Sequence, residues 1–227
     1  MNTFRGVLLA VCLSLFALCT ALFDVAYDAG YYHEFQTEHR ISESTGKTQE
    51  TLDQVSADTI LYLKNGDESL MAAHFNSRET AHMADVYRLF SAARIVAFVS
   101  AAGAVLLAFA DFRAPGMVSR RGVFLTQVIL WLVLAGLILW GMAQWDVLFT
   151  QFHQLFFRND LWLLNPKTDL MIQMMPAPFF IGMAIEIALK SVGMTLLLEG
   201  GWLLVRWHRR HQAAPDQIVR TTGGGDV

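Results

Sequence analysis

Two histidines, His82 and His153, are the side chains best placed to do chemistry. In Glu79-Thr80-Ala81-His82-Met83-Ala84-Asp85 an acid stands three residues to either side of the imidazole. On a helix all three project from neighbouring parts of one surface. A carboxylate held there could fix the tautomer of His82 or raise its basicity, the orienting role found in acid-base sites. Spacing alone leaves this level with a plainer arrangement, in which Glu79 caps a helix and the other two side chains are solvated. The second segment carries His153, then Phe156, Phe157, Trp162, Asn165, Asp169 and Pro176. Aromatic rings around His153 would make an apolar site open sideways to lipid. Asp169 lies at the mouth of an apolar run, where a buried carboxylate needs a partner.

The remaining inventory narrows the chemistry. His33 and His39 lie in a polar, acidic stretch and are expected to be solvated, His74 could be structural, and His208 and His211 fall in a basic tail. The sequence has no Gly-x-Ser-x-Gly elbow, no phosphate-binding glycine loop, no cysteine pair at zinc spacing and no His-Glu-x-x-His. Nothing points to nucleic acid. Cys12 and Cys19 stand seven apart inside the first apolar run, where they read as small apolar side chains rather than nucleophiles or a disulfide. Proton transfer by histidine is what remains, and no metal ligand set is expected.

These histidines must be held by membrane elements. Hydrophobic residues make up 54% of the 227 and the mean hydropathy is +0.38, too apolar for a soluble domain of this size. Charge-free runs at Gly6 to Phe23, Ile95 to Ala110, Gly122 to Trp145 and Leu170 to Ile185 predict four transmembrane helices. The first is read as a retained span rather than a signal peptide, since no small-x-small cleavage site follows it. Arg5, Arg113, Arg120, Arg121, Arg206, Arg209 and Arg210 flank the spans on one side, which predicts both termini in the cytoplasm despite the net charge of -3. The segment from Tyr27 to Ser91 holds eleven Asp or Glu against five Lys or Arg, the balance of a translocated loop.

The expected architecture is an all-α membrane protein, N-in and C-in, with a small extracytoplasmic cap. Residues 1–205 form the four-helix membrane domain, with the cap drawn from loops 27–91 and 146–178, and residues 206–227 form a disordered cytoplasmic tail. Leu52, Val55 and Leu63 recur at helical spacing ahead of Asn65-Gly66, which predicts a surface helix ended by a left-handed residue. Asn76-Ser77-Arg78-Glu79 predicts a capping box that opens a helix running through His82 into the second span. Pro166, Pro176 and Pro178 prevent one long helix in the second loop. Glu186 and Lys190 are four apart and predict an ion pair in the fourth span.

Taken together, the two histidine segments resemble the lipoprotein intramolecular transacylase family, Lit. The resemblance rests on the Glu-x-x-His-Met-x-Asp-Val run of Asn76 to Phe90 and on Phe149 to Phe180, with Phe-x-x-x-His, Phe156-Phe157, Trp162, Asp169 and Pro176. The Tyr62-Leu63-Lys64-Asn65-Gly66 stretch and the four-span layout fit as well, over roughly residues 5 to 205. The resemblance implies a multi-pass acyltransferase of bacterial lipoprotein maturation, acting on a diacylated lipoprotein among membrane lipids. Such an enzyme moves the sn-2 acyl chain of the S-diacylglyceryl group onto the α-amine of the N-terminal cysteine, giving the lyso form without a cofactor. It further implies His82 and His153 as catalytic residues, Glu79, Asp85 and Asp169 as orienting groups, and Phe156, Phe157, Trp162 and Pro176 as the lipid-accessible entrance. Tyr87 departs from the basic residue expected after the Asp-Val pair. The competing classes are a non-enzymatic membrane scaffold binding a partner through its external loop, a haem protein and a metal-dependent hydrolase.

Overall fold

The computed structural model describes residues 1–213, and every regular element among them is helical. Four helices are long and apolar enough to cross a membrane: α1 (Asn2–Ala26), α6 (Ser77–Arg113), α7 (Arg120–Ala143) and α10 (Ala177–Ala213). Between α1 and α6 lie α2 (Ala29–Glu38), α3 (Ile41–Thr45), α4 (Gln49–Asn65) and α5 (Glu68–Ala72). Between α7 and α10 lie α8 (Trp145–Phe156) and α9 (Leu170–Met174).

α1 is the hub of the bundle, packing against α6, α7 and α10. Leu9, Ala10, Leu13, Ala104, Val118 and Val123 form the apolar core at one end. The outward faces carry Phe98, Val105, Leu132, Leu139 and Leu197, all exposed, as helices facing lipid require. Ionic contacts tie the bundle at both ends. Lys190 Nζ reaches Asp24 at 2.7 Å and Glu186 at 2.9 Å, so the expected i,i+4 pair also recruits α1. At the opposite end Arg206 pairs with the buried Asp111 at 2.9 Å, and Asp111 Oδ1 accepts the backbone N–H groups of Gly116 and Val118 in the α6–α7 turn.

α6 is 37 residues long, roughly 55 Å at the helical rise, well beyond the ~30 Å of hydrocarbon. Its first half bears Arg78, Glu79, Asp85, Arg88 and Arg94 and projects clear of the apolar stretch that begins at Ile95. The cap helices pack around this extension. Tyr32, Phe35, Leu52, Val55, Tyr62, Leu63, Met71 and Met83 join Met171, Met174, Phe179 and Met183 in one core, so the cap rests on α9 and the start of α10. Asp28, Thr48 and Asp67 cap α2, α4 and α5 through their side chains. α4 stops at Gly66 with φ 77°, where a side chain would also meet Tyr87. Tyr87 therefore seats a turn of the cap.

The structure changes several sequence expectations. The fourth span begins at Ala177 rather than at Leu170, because Pro176 separates α9 from α10. α10 then continues to Ala213, so the first eight residues of the expected disordered tail are helix, and residues 214–227 lie outside the described residues. His33 is not simply solvated: its Nδ1 lies 2.9 Å from Asp53 Oδ1 and joins α2 to α4. His39 Nδ1 donates to the Phe35 carbonyl, and His74 Nε2 meets Asp58 at 2.7 Å, joining α4 to the segment after α5.

Removing Arg206 leaves Asp111 buried and uncompensated, so Arg206→Ala is expected to cost about 3–5 kcal/mol. Removing both charges in Asp111→Asn/Arg206→Met is expected to cost less than the single change. Thermal unfolding of both variants in detergent micelles checks the order.

Candidate active site

The site is built on a buried carboxylate. Asn76 caps α6 by accepting the N–H groups of Arg78 and Glu79, and Glu79 Oε2 accepts the Asn76 N–H at 2.9 Å, completing the capping box. Glu79 Oε1 accepts the Met171 N–H of α9 at 2.7 Å, across 92 residues of chain. The side chain is fully buried. One carboxylate therefore serves two helix starts and sets the height of α6 against the second loop.

One turn further on, His82 points into an aromatic pocket. Its ring centroid lies 5.9 Å from that of His153 and 5.4 Å from Phe157, which meets it edge-on. His82 is buried, and its Nδ1 has no hydrogen-bond partner within the protein. His153 occupies the last turn of α8. Trp162 stacks on it at 4.8 Å, and Phe149 and Phe157 lie at 4.0 and 5.5 Å. His153 Nδ1 lies 2.7 Å from the Phe149 carbonyl oxygen. A carbonyl only accepts, so Nδ1 carries the proton and the neutral ring presents the Nε2 lone pair.

Burial works against charge at both rings. His153 is held below the ordinary imidazole range by desolvation, with the Phe149 carbonyl partly opposing. His82, on the polar extension of α6, is pushed down to about 4 by desolvation first and by the neighbouring His153 second, with Asp85 pulling the other way. The pair is neutral at physiological pH, two imidazoles able to exchange protons with a bound molecule.

None of the three expected orienting acids hydrogen-bonds to either imidazole. Asp85 accepts from Arg88 at 2.6 Å and from Asn159 Nδ2 at 2.8 Å. Asp169 accepts from the Asn165 N–H at 2.7 Å, from Thr168 Oγ1 and from Asn76 Nδ2. The Asn165 amide is the main reason its carboxyl sits below the usual range. The Arg78 guanidinium also donates to the Asp160 carbonyl. Together these contacts clamp the 157–169 loop onto the first turns of α6. Of the four residues expected at the entrance, Phe157 and Trp162 are buried walls of the pocket, Phe156 is 49% exposed, and Pro176 marks the α9–α10 break. The acceptor that fixes the His153 tautomer, the Phe149 carbonyl, was not anticipated; the only sequence sign was a histidine four residues on, near a helix end. Among the described residues no three His, Cys, Asp or Glu side chains converge as a metal site.

A family profile for lipoprotein intramolecular transacylase Lit matches residues 7–180, a stretch containing both histidines and the aromatic walls Phe149, Phe157 and Trp162. The chain belongs to that family. It is accordingly an acyltransferase of the membrane rather than a non-catalytic scaffold. The fold is that of the membrane-integral Lit of Bacillus cereus, whose in meso structure superposes with a TM-score of 0.79 at 20% identity, covering 93% of this chain and 98% of that one. Two further structures of the same protein, with a histidine replaced by arginine or by alanine, superpose at 0.78 and 0.77, each with 19% identity. They cover 93% of this chain and 95% and 96% of theirs. No curated protein matches the sequence.

Loss of the Glu79 carboxylate leaves the buried Met171 N–H without an acceptor and opens the capping box at the Asn76 N–H, so Glu79→Ala is expected to cost about 1–3 kcal/mol, read as a fall in melting temperature. An unfolded chain protonates its histidines near about pH 6.5, whereas folding holds His82 neutral down to about 4. Between those values the unfolded state binds more protons, so stability is complete above pH 6.5 and falls as the pH is lowered toward 4. Nuclear magnetic resonance of ring-labelled histidine is expected to show His82 neutral at pH 5, while an ordinary imidazole is protonated.

Proposed function

We propose that this acyltransferase moves the sn-2 acyl chain of an S-diacylglyceryl lipoprotein onto the α-amine of its N-terminal cysteine, on the extracytoplasmic side of the membrane. The observation that carries this reading is the pair of neutral imidazoles, 5.9 Å apart between centroids, facing each other within aromatic walls. The arginines Arg5, Arg113, Arg120, Arg121, Arg206 and Arg209, gathered at the end opposite the histidines, support this orientation. The cap over residues 27–91 and 146–178 then stands outside the membrane.

In the proposed reaction the neutral α-amine attacks the sn-2 ester carbonyl. A carbon–nitrogen bond forms, and the carbon–oxygen bond to glycerol breaks. His153 Nε2 takes the proton released by the amine and returns it to the departing glycerol oxygen, so the ring is restored at the end of each turnover. His82 donates its N–H to the carbonyl oxygen as negative charge builds there. Burial disfavours a protonated His82, so the neutral ring is the donor. The amine and ester belong to one molecule, so the protein's main task is to hold them near attack geometry. Trp162, Phe149 and Phe157 form the pocket that excludes water, Phe156 faces the lipid, and Pro176 shapes the approach from α10. Glu79, Asp85 and Asp169 act as positioning residues, holding the α6 start and the 157–169 loop around the rings.

Mass spectrometry of the N-terminal peptide of a reporter lipoprotein checks the reaction, using a bacterium that lacks other N-acylation. With this protein present the peptide keeps its total mass while one acyl chain moves from glycerol to nitrogen. His153→Ala and His82→Ala are each expected to slow the conversion by about 10²–10⁴-fold. An unchanged diacylglyceryl peptide with folded wild-type protein in the membrane refutes the proposal. The rate is expected to rise with pH along the ionisation of the amine near about 8, and any limb from His153 is expected below the ordinary imidazole range, since burial lowers it.

A further inference from the structure

A cavity at the end of the bundle opposite the histidines has no part in acyl transfer. Where α7 begins and α10 ends, a space of about 600 Å³ is lined by Arg120, Gly200, Leu203, Leu204, Trp207 and His211. Its walls are mostly apolar, and at Gly200 an added Cβ would meet nothing within 4 Å, so the glycine leaves the space open against the backbone. The charge is concentrated at the mouth. Arg120 and its neighbour Arg121 are exposed, and among the described residues no carboxylate pairs with either. Of the acids at this end, Asp111 is engaged by Arg206. Glu199 faces Gln127, whose amide, oriented to satisfy its neighbours, donates to Glu199 and accepts from Trp131. The Trp207 and His211 rings lie 4.6 Å apart beside Arg120.

We propose that this cavity binds an anionic phospholipid from the leaflet at that end. Its phosphate lies against Arg120 and His211, Trp207 sits at headgroup depth, and the upper acyl chain follows Leu203, Leu204 and the bare backbone at Gly200. A free phosphate would use the arginine but not the leucine wall. A zwitterionic lipid would bring its own cation to Arg120. Basic pockets between membrane helices are built for anionic headgroups in this way, each basic residue contributing about 1 kcal/mol.

Native mass spectrometry of the purified full chain in detergent tests the proposal, with phosphatidylglycerol and phosphatidylcholine added in turn. One phosphatidylglycerol is expected to be retained in preference to phosphatidylcholine. Arg120→Gln is expected to weaken that binding about fivefold, while Lys47→Gln in the cap leaves it unchanged. Gly200→Leu fills the cavity without altering charge and is expected to abolish the preference. Equal retention of the two lipids overturns the proposal. So does full phosphatidylglycerol binding in a folded Gly200→Leu variant, since binding would then come from the general basic collar and not from the cavity.

Discussion

The whole arrangement hangs on one buried carboxylate. Glu79 closes the capping box of α6 and accepts the Met171 N–H, so a single side chain couples the helix that carries His82 to the loop that leads into α10. A buried acid is tolerated only when it is fully hydrogen-bonded. Here its partners are two backbone amides in fixed positions, and the constraint is therefore geometric as well as energetic. Shifting α6 by a single turn would strand the carboxylate and move His82 by about 5 Å, out of reach of His153.

Around that fixed point the protein keeps its charged residues away from the imidazoles and uses them to build the frame. Asp85 is held between Arg88 and Asn159, Asp169 between Asn165, Thr168 and Asn76, and Arg78 reaches the Asp160 carbonyl. These contacts fold the 157–169 loop over the start of α6 and bring Phe157 and Trp162 against the histidines. The result is a buried, aromatic pocket that disfavours charge on both rings. Carboxylates in direct contact would have favoured protonation and removed the lone pair that proton abstraction needs.

The bundle beneath is a plainer construction. α1 runs through the centre, and pairs of opposite charge sit at its two ends, Lys190 with Asp24 and Glu186 at one and Arg206 with Asp111 at the other. Such pairs keep charge near the bilayer affordable and fix the relative height of neighbouring helices. Because α6 is longer than the hydrocarbon is thick, its first half becomes a wall against which the cap helices pack, in a core shared with α9 and the start of α10 and distinct from that of the bundle.

Much of this was written locally. The α4 helix, the Asn76 capping box, the Gly66 stop and the four apolar spans all follow from periodicity, caps and run length, which are properties of neighbouring residues. The two histidines also stood out, because each sits in a cluster of polar and aromatic types beside a span. The start of the fourth span did not, since hydropathy reports where a helix can start and not where Pro176 forces it to begin. Nor did the partners of the acids. Glu79 finds Met171 92 residues away, and Asp85 finds Asn159 74 residues away. Local sequence thus carried α4, the capped start of α6, the span number and the candidate imidazoles, but not the short helices α2, α3, α5, α8 and α9. Which groups touch the two rings, and that burial disfavours charge on both, emerges only in the folded chain, because hydrogen-bond partners and desolvation depend on what distant segments bring into contact.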